Sequence, residues 1–326
     1  TILGKYVTIV QNSIVKEPKD KFAGISSKDV NSAISQLKDI DIPEDKVVID
    51  MVVSEFTLDN GRIVDDPVGM LSSSFTVKGQ VVLADKEYVR KLTNIFKKVN
   101  IEIDGIIPNV LAERKLILDK NELKDNVMIL DIGAGNTDIG VFNEEAIIYT
   151  NTIPLGGDTI TNDIAMVFNI SEEEADRLKK QYGLALRSFI DNDTDIMLNT
   201  YKGEERTRTI KSSELIEVIE ARISEIFSLI NKDVNKEGIK SNINNVILTG
   251  QGITTISKSD VAGKIILNIP VKISTGRAIS TVRPGYRTVY ALVRYISSRQ
   301  FAKNVSSNID APSEKSTIFK DIIVPI

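Results

Sequence analysis

Asp131, Asp138 and the glycines around them are the residues of this chain whose types and spacing point to chemistry. An apolar run, Val127 to Leu130, ends at Asp131, breaks at Gly133-Ala134-Gly135-Asn136 and resumes as a second apolar run, Ile139 to Phe142. A third run, Ala146 to Tyr149, leads to Gly156-Gly157-Asp158 and a helix-like segment. A strand, a glycine turn and a strand expose several N–H groups at one point, because glycine has no Cβ to keep a ligand away from the main chain. Such a concavity of amides binds anions, phosphate above all. Asp131 and Asp138 are hard oxygen donors of the kind Mg2+ takes, usually through water. The same residues also make an ordinary hairpin turn, for which Asn and Gly are common.

A second glycine turn follows another predicted strand. Val246 to Leu248 read as buried, and Thr249-Gly250-Gln251-Gly252 comes where that strand ends. Ligands of α/β proteins collect at the carboxyl ends of strands, so the two turns are expected to form two halves of one cleft. A plain connecting loop also favours glycine. The segment SEEEADRLKKQYG reads as a helix. Ser171 and Glu174 have capping-box spacing, and Gly183 sits where a helix-ending glycine belongs. Asp176 and Lys179 share one helix face, within reach of a ribose or base, or paired on a solvated surface.

Composition narrows the chemistry. The 326 residues exceed what one compact core usually serves, and 42% hydrophobic with 26% charged residues is a globular balance. No run approaches a membrane span and no signal peptide is visible, so a soluble cytoplasmic protein is expected. The net charge of −4 with mixed signs argues against a nucleic-acid footprint. With neither cysteine nor histidine in the chain, disulfides, thiolate nucleophiles, Cys/His zinc sites and a histidine base are excluded. Carboxylates, lysines, hydroxyls or a metal must act instead. That suits phosphate handling, where positioning and electrostatics dominate.

The elements that must hold these residues fall into blocks. Residues 1–104 read as an α+β module. It has a strand at Tyr6 to Val10 and a helix with Val30, Ala33, Ile34 and Leu37 on one face, capped by Ser26 or Ser27. Strands are expected at Lys46 to Thr57, Leu71 to Val77 and Gln80 to Ala84, with a hairpin turn at Asp59-Asn60-Gly61. A helix follows with Val89, Leu92, Ile95 and Phe96 as its core stripe. Residues 105–168 and 241–300 form the core that carries the glycine turns. They include a helix over Ile106 to Leu118 with Pro108 at its start, a loop from Gly276 to Gly285, and a helix from Tyr286 to Phe301. That last helix has Val289, Leu292, Val293 and Ile296 on one face. Residues 169–240 read as a helical insertion whose long helix turns Leu215, Ile219, Ile223, Ile226 and Ile230 inward, preceded by a loop or hairpin from Asp191 to Arg208. Residues 301–326 read as a tail.

These segments resemble the actin/Hsp70/hexokinase superfamily and, within it, the bacterial cell-division family FtsA. DIGAGNTDI at 131–139 is similar to the superfamily's second phosphate motif, and ILTGQGI at 247–253 to its adenosine motif. IPLGGDTITNDIA at 153–165, EEADRLKKQYG at 173–183 and ELIEVIEARISEIF at 214–227 resemble FtsA segments. The resemblance implies an α/β fold of actin-like, ribonuclease-H-type subdomains with an α+β accessory subdomain and a helical insertion. It implies ATP with Mg2+. Asp131 would hold metal-bound water, and Gly133, Ala134, Gly135 and Asn136 would cradle the β- and γ-phosphates. Gly156, Gly157 and Asp158 would set the phosphate end at a helix N-terminus. Asp176 and Lys179 would bracket the nucleoside, with Gly250, Gln251 and Gly252 alongside it. Catalysis, at most a weak ATPase, would fall to Asp131 or Asp138. Arg222 matches the arginine of the family's IEAR segment and would meet an acidic peptide.

The implied partners are the carboxy-terminal tail of the tubulin-like FtsZ, further copies of the chain in a filament, and other division proteins. No nucleic acid is expected, and the place would be the cytoplasmic face of the cell membrane at the division site. The chain departs from the pattern in three ways. No Asp-x-Gly phosphate turn precedes Asp131, so either the sequence is part of a longer one or half the clamp is missing. The adenosine turn reads Gly-Gln-Gly rather than adjacent glycines. The ending SEKSTIFKDIIVPI contains Pro325 and lacks the basic amphipathic face of a membrane anchor, so a membrane contact needs a segment absent here. A PilM-like pilus adaptor and a phosphotransferase of the same superfold remain as alternatives.

Overall fold

The structure, a computed structural model, describes residues 1–118, 121–144, 146–198, 208–274 and 286–307, with Lys115 and residues 298–307 described by backbone only. It divides into two compact units. One comprises Thr1–Leu116, Glu145–Thr150 and the stretch from Tyr286, and the other Ile117–Glu144 and Asn151–Gly285.

The first unit opens with β1 (Val7–Lys16), α1 (Ser27–Gln36), β2 (Lys46–Leu58), β3 (Ile63–Val64), β4 (Phe75–Asp85), α2 (Lys86–Lys97) and α3 (Asn109–Ile117). Its four-stranded sheet has the order β1-β4-β2-β3, with each neighbouring pair antiparallel. Ser26 starts α1 through a reciprocal box with Asp29: the Asp29 amide donates to the Ser26 hydroxyl, and the Ser26 amide to the Asp29 carboxylate. Val30, Ala33 and Leu37 then cover Leu58, Phe75 and Val77 on one sheet face. On the other face, Tyr88, Val89 and Leu92 of α2 pack on Val7, Val82 and Ala84. The rest of the expected α2 stripe stays outside. No α2 residue is fully buried and Ile95 is 62% exposed, because only the first half of the helix meets the sheet.

The strands expected at Leu71 to Val77 and Gln80 to Ala84 are one strand, β4, which begins only at Phe75 and leaves Leu71 to Ser74 outside it. Gly79 interrupts nothing. A Cβ there would lie 2.7 Å from Leu37 Cδ1 and 2.9 Å from Val52 O, so glycine serves close packing. Next to it, buried Gln80 donates to Ile147 O at 3.0 Å and accepts from Ile147 N at 3.1 Å.

The second unit holds β5 (Asn126–Ile132), β6 (Thr137–Asn143), β7 (Ala146–Ile153, whose residues to Thr150 count with the first unit), α4 (Gly157–Phe168), α5 (Glu172–Tyr182), β8 (Asp195–Leu198), β9 (Arg208–Lys211), α6 (Ser212–Lys236), β10 (Asn245–Thr249), α7 (Ser259–Leu267) and β11 (Val271–Ile273). The five-stranded sheet has the order β11-β10-β5-β6-β7. β5, β6 and β7 follow one another through short turns. After α4, α5 and α6 the chain returns as β10, parallel to β5, with β11 parallel beyond it. A three-stranded meander extended by two parallel strands on the side of its first strand is the ribonuclease-H-type order. Leu215, Ile219, Ile223, Ile226 and Ile230 of α6 are all fully buried, as their spacing predicts. β8 and β9 form the short antiparallel pair of the Asp191 to Arg208 region.

The chain closes with α8 (Arg287–Ser307), back in the first unit. Here the expected stripe is corrected. Val289 and Val293 are each 57% exposed, while Ala291 and Tyr295 are buried and the Tyr295 hydroxyl donates to Asp50 Oδ2 at 2.9 Å. A hydroxyl with a buried carboxylate to reach outcompetes two valines for the inner face. The helix also continues through residues 302–307, past its expected end at Phe301. The 276–285 loop lies outside the described residues, as does the chain after 307. Among the described residues no helix is long and apolar enough to cross a membrane.

Candidate functional site

Register alone brings three polar residues of the second unit into one row. Successive rows across β10, β5 and β6 are apolar: Val246–Met128–Val141, Ile247–Ile129–Gly140, Leu248–Leu130–Ile139. The next row is Thr249–Asp131–Asp138. Register partners project to the same face of a sheet, so these side chains stand side by side at the carboxyl ends of β5 and β10. Thr152 of β7 extends the row by donating its hydroxyl to Asp138 Oδ1 at 2.5 Å. Asp138, Thr152 and Thr249 are buried and Asp131 is half-buried. Two carboxylates directly opposite on neighbouring strands repel each other, and a cation on that face relieves the repulsion. Sequence reading singled out the two aspartates. It missed Thr249 and Thr152, whose alignment depends on strand pairing.

The turn from β5 to β6 is closed by Gly133 N donating to Asn136 O at 2.9 Å. Its carbonyls point into the protein. Ile132 O accepts from Gly252 N at 2.9 Å, Gly133 O from Gly157 N at 2.9 Å, and Ala134 O from Asp158 N at 2.8 Å. In a planar trans peptide the C=O and the following N–H point in opposite directions, and no described peptide is cis. Carbonyls 133 and 134 aimed at the first turn of α4 therefore aim the amides of Ala134 and Gly135 away from it. Both residues are exposed, and neither amide has a partner among the described residues. The amides of Gly157 and Asp158, in the segment expected to set the phosphate end at a helix N-terminus, orient the hairpin that carries the outward amides. Gly156 N turns to Thr159 Oγ1 of its own helix.

The glycines fall into two groups. A Cβ on Gly156 would lie 2.4 Å from Ala134 O, on Gly157 2.5 Å from Gly252 Cα, and on Gly252 2.1 Å from Gly133 O. Gly250 has φ +93° and its Cβ would lie 2.1 Å from Ile132 O. These four let three backbone segments touch, which brings the two glycine turns together as expected. Gly135 differs: a Cβ there meets nothing within 4 Å, and its φ lies outside the left-handed region. The protein itself does not require glycine at this exposed tip. Gln251 is exposed beside buried Gly252.

The remaining expected site residues have partners within the unit. Lys179 is buried. Its ammonium contacts Gly157 O at 3.1 Å, Thr161 Oγ1 at 2.6 Å and Asp176 Oδ1 at 3.0 Å, which accounts for its three donors. Burial works against charge on Asp176, but Lys180 and Lys179 together hold its carboxyl below the usual range. Ser171 accepts from Glu174 N at 3.2 Å, but the Glu174 carboxylate goes to Arg177, so the box is half made. Gly183 ends α5 with φ −60° rather than left-handed, and glycine is needed because a Cβ would sit 2.2 Å from Lys179 O. Arg222 makes a bidentate pair with Asp163 of α4, at 2.6 and 3.0 Å, and also contacts Glu225. An acidic peptide would have to compete with Asp163 for it.

The donor set fits one half of a magnesium–polyphosphate site. Two free amides face outward from an exposed turn, and a carboxylate row lies at the base of that turn. Among the described residues no cluster of three or more acidic groups could cage a metal. A hard cation here would keep water and phosphate oxygens as most of its shell, which is the habit of Mg2+.

The sheet order and this strand-end site define an actin-like α/β protein. MreB5 of Spiroplasma citri bound to ADP shares the fold with a TM-score of 0.51 at 20% identity, over 70% of this chain and 69% of that one. The PilM-PilN type IV pilus biogenesis complex gives a TM-score of 0.51 at 15% identity, over 90% and 76%. Within that class, the sequence model of "Cell division protein FtsA" matches residues 128–295, over half of the chain, and that of the "SHS2 domain inserted in FTSA" matches residues 4–83. The chain belongs to the FtsA family of cell-division proteins. Cell division protein FtsA of Bacillus subtilis (strain 168) is 28% identical over 292 residues, 90% of this chain and 66% of that protein. That of Escherichia coli (strain K12) is 24% identical over 305 residues, 90% and 72%. The chain thus spans about two-thirds of the length of the curated relatives it matches.

Proposed function

We propose that this actin-like cell-division protein binds ATP with Mg2+ at the β5–β6 hairpin and uses it to bias a self-associating state. The observation that carries the reading is the tip of that hairpin. Two amides without a partner among the described residues, at Ala134 and Gly135, face outward beside a glycine the fold does not need. That is the arrangement a phosphate requires and folding alone does not explain. Gly133 and Asn136 close the turn, and Gly156, Gly157, Asp158, Gly250 and Gly252 hold it in place. Asp131 and Asp138 face the cation, with Asp138 oriented by Thr152. Mg2+, when bound, would neutralise phosphate charge and fix the phosphates in one geometry. Asp176, partly exposed, is the member of its pair that a ribose hydroxyl meets, while Lys179 holds α4. Gln251 lies exposed along the nucleoside. Hydrolysis is slow in this reading, because Asp138 is buried and already accepts from Thr152. The fold neighbour MreB5 was solved bound to ADP, which supports nucleotide binding in this fold.

The same reading makes the chain a link of the division ring. It takes the acidic FtsZ tail on the helical subdomain near Arg222, assembles with its own copies and other division proteins, and acts on the cytoplasmic side of the membrane. Calorimetric titration of ATP with and without Mg2+ tests the core of the reading. Binding that depends on Mg2+ is expected, and no binding under either condition overturns it. An adaptor without nucleotide is the second reading. It is favoured by the α4 amides, which the hairpin already occupies, and that same negative titration would leave it standing.

A further inference from the structure

β1 is an edge strand without the usual protections of an edge. It runs ten residues, Val7–Lys16, where a common strand has about 5–6. Its ladder with β4 is regular along its whole length, with no bulge. Among the described residues no strand pairs with its other side. Alternate residues of an antiparallel strand turn their N–H and C=O groups outward, so this edge presents a row of backbone donors and acceptors. Natural edges are blunted by shortness, charge, proline, bulges or cover. β3, at the opposite edge of the same sheet, is two residues long. On β7, the outer strand of the five-stranded sheet, the Gln80 side chain answers both backbone groups of Ile147. β1 differs: between Lys5 and Lys16 the sequence has no charge and no proline, and Val15 is 68% exposed.

We propose that two copies of this chain associate through their β1 edges, as an antiparallel pair about a twofold axis at Gln11. In that register Val7 of one copy faces Val15 of the other, Thr8 faces Ile14, Ile9 faces Ser13 and Val10 faces Asn12. Facing residues share a side of the sheet, so the exposed Val15 gains an apolar neighbour and no like charges meet. Just past the paired strands, Lys5 of each copy falls toward Glu17 of the other, which gives the two ends opposite charges. Gln11 meets its own copy, and two carboxamides can each donate and accept. Such a contact is closed, because both copies use the same edge. It names one surface for the self-association proposed above, uses the first unit alone and needs no nucleotide.

The chain contains no cysteine, so a single introduced thiol can form a disulfide only with another copy. Gln11→Cys and Thr8→Cys, both at exposed positions, are oxidised mildly without nucleotide and the linked dimers counted. Gln11→Cys should cross-link, because directly opposite Cβ atoms lie about 4.5–5.5 Å apart. Thr8→Cys should not, because it faces Ile14 and its own copy lies about 20 Å further along the strand. Sedimentation velocity should show the wild type passing from monomer to dimer. Gln11→Lys and Gln11→Glu should each weaken the dimer about fivefold by setting like charges opposite one another. An equal mixture of the two should regain at least the wild-type affinity, a recovery that misfolding would not give. A wild type that stays monomeric up to millimolar concentration overturns the inference. So do equal cross-linking of the two cysteine variants and a dimer indifferent to charge at position 11. A monomer whose β1 amides resist hydrogen exchange also overturns it and assigns the edge to another segment of the same chain. Mg2+-ATP binding by a monomer would sink the β1 pairing alone, and a β1 dimer that binds no ATP would sink the nucleotide reading alone.

Discussion

Gly135→Ala puts a methyl group where the fold has room and a phosphate does not. A Cβ built at this position meets no heavy atom within 4 Å, and the backbone is not left-handed. The folded state therefore accepts alanine without strain. The unfolded chain loses freedom, so stability should rise by about 0.4–1 kcal/mol. Ligand binding should respond in the opposite direction. The added methyl stands beside the amides of Ala134 and Gly135, which face outward with no partner among the described residues. A phosphate oxygen that needs both amides would be displaced from at least one. A hydrogen bond to a charged group contributes about 1.5–3 kcal/mol, so ATP should bind roughly 10- to 150-fold more weakly. Calorimetry with Mg2+-ATP reads the affinity, and denaturant unfolding reads the stability. Wild-type affinity in a variant of unchanged or higher stability would refute the role given to these amides. A loss of stability would instead refute the open space drawn around Gly135.

Gly252→Ala should do the reverse. Its Cβ would lie 2.1 Å from Gly133 O and 2.8 Å from Gly157 N, so overpacking plus the loss of the Gly252–Ile132 bond should cost about 3 kcal/mol. A melting curve matching the wild type would count against the packing of the two turns. Lys179→Met removes a buried ammonium from Gly157 O, Thr161 and Asp176 and should destabilise by about 2 kcal/mol, seen as a lower denaturation midpoint. Asp29→Asn tests pH linkage. Burial raises the Asp29 carboxyl, but bonds from Ser26 and Lys19 outweigh it and leave the folded value lowered. Its stabilisation, about 1 kcal/mol as a cap, should be full above the unfolded carboxyl value near ~4 and vanish as pH falls through the lower folded value. Wild type and variant should then differ at pH 7 and converge in acid, and a constant difference across that range would show that the charge is irrelevant.

Much of this was legible before any coordinates, and the residues show why. The α6 stripe needs only a period, and Leu215 through Ile230 are buried as their spacing requires. The β5–β6 turn needs only local signals, and it falls at Gly133 to Asn136. Glycine elsewhere was ambiguous because one residue type meets two demands. It can supply a positive φ, as at Gly250, or a missing Cβ, as at Gly79 and Gly183, and only the neighbours across space decide which. The pattern around Gly79 therefore splits one strand into two, and Gly183 ends its helix without the left-handed φ that such a glycine often supplies. In α8 the apolar stripe pointed to Val289 and Val293. The inner face instead went to Tyr295, whose partner Asp50 lies on a distant strand. Thr249 carried no local signal, since a threonine ending a strand is ordinary until the register sets it beside Asp131.

The hairpin also shows how a helix N-terminus can act on a ligand it does not touch. The positive end of the α4 dipole lies at amides 157 and 158, and both donate to hairpin carbonyls. A peptide that accepts a hydrogen bond at its oxygen becomes a better donor at its nitrogen, by about 10–30% per bond. The peptides joining Gly133 to Ala134 and Ala134 to Gly135 accept from α4 at one side and present N–H groups to solvent at the other. The dipole is thus carried one peptide further out, to a turn tip that can close around an anion without unwinding the helix. Gly156, Gly157 and Gly252 are small so that this contact can be backbone on backbone. A side chain at any of them would separate the helix from the hairpin and leave the outward amides as ordinary turn donors.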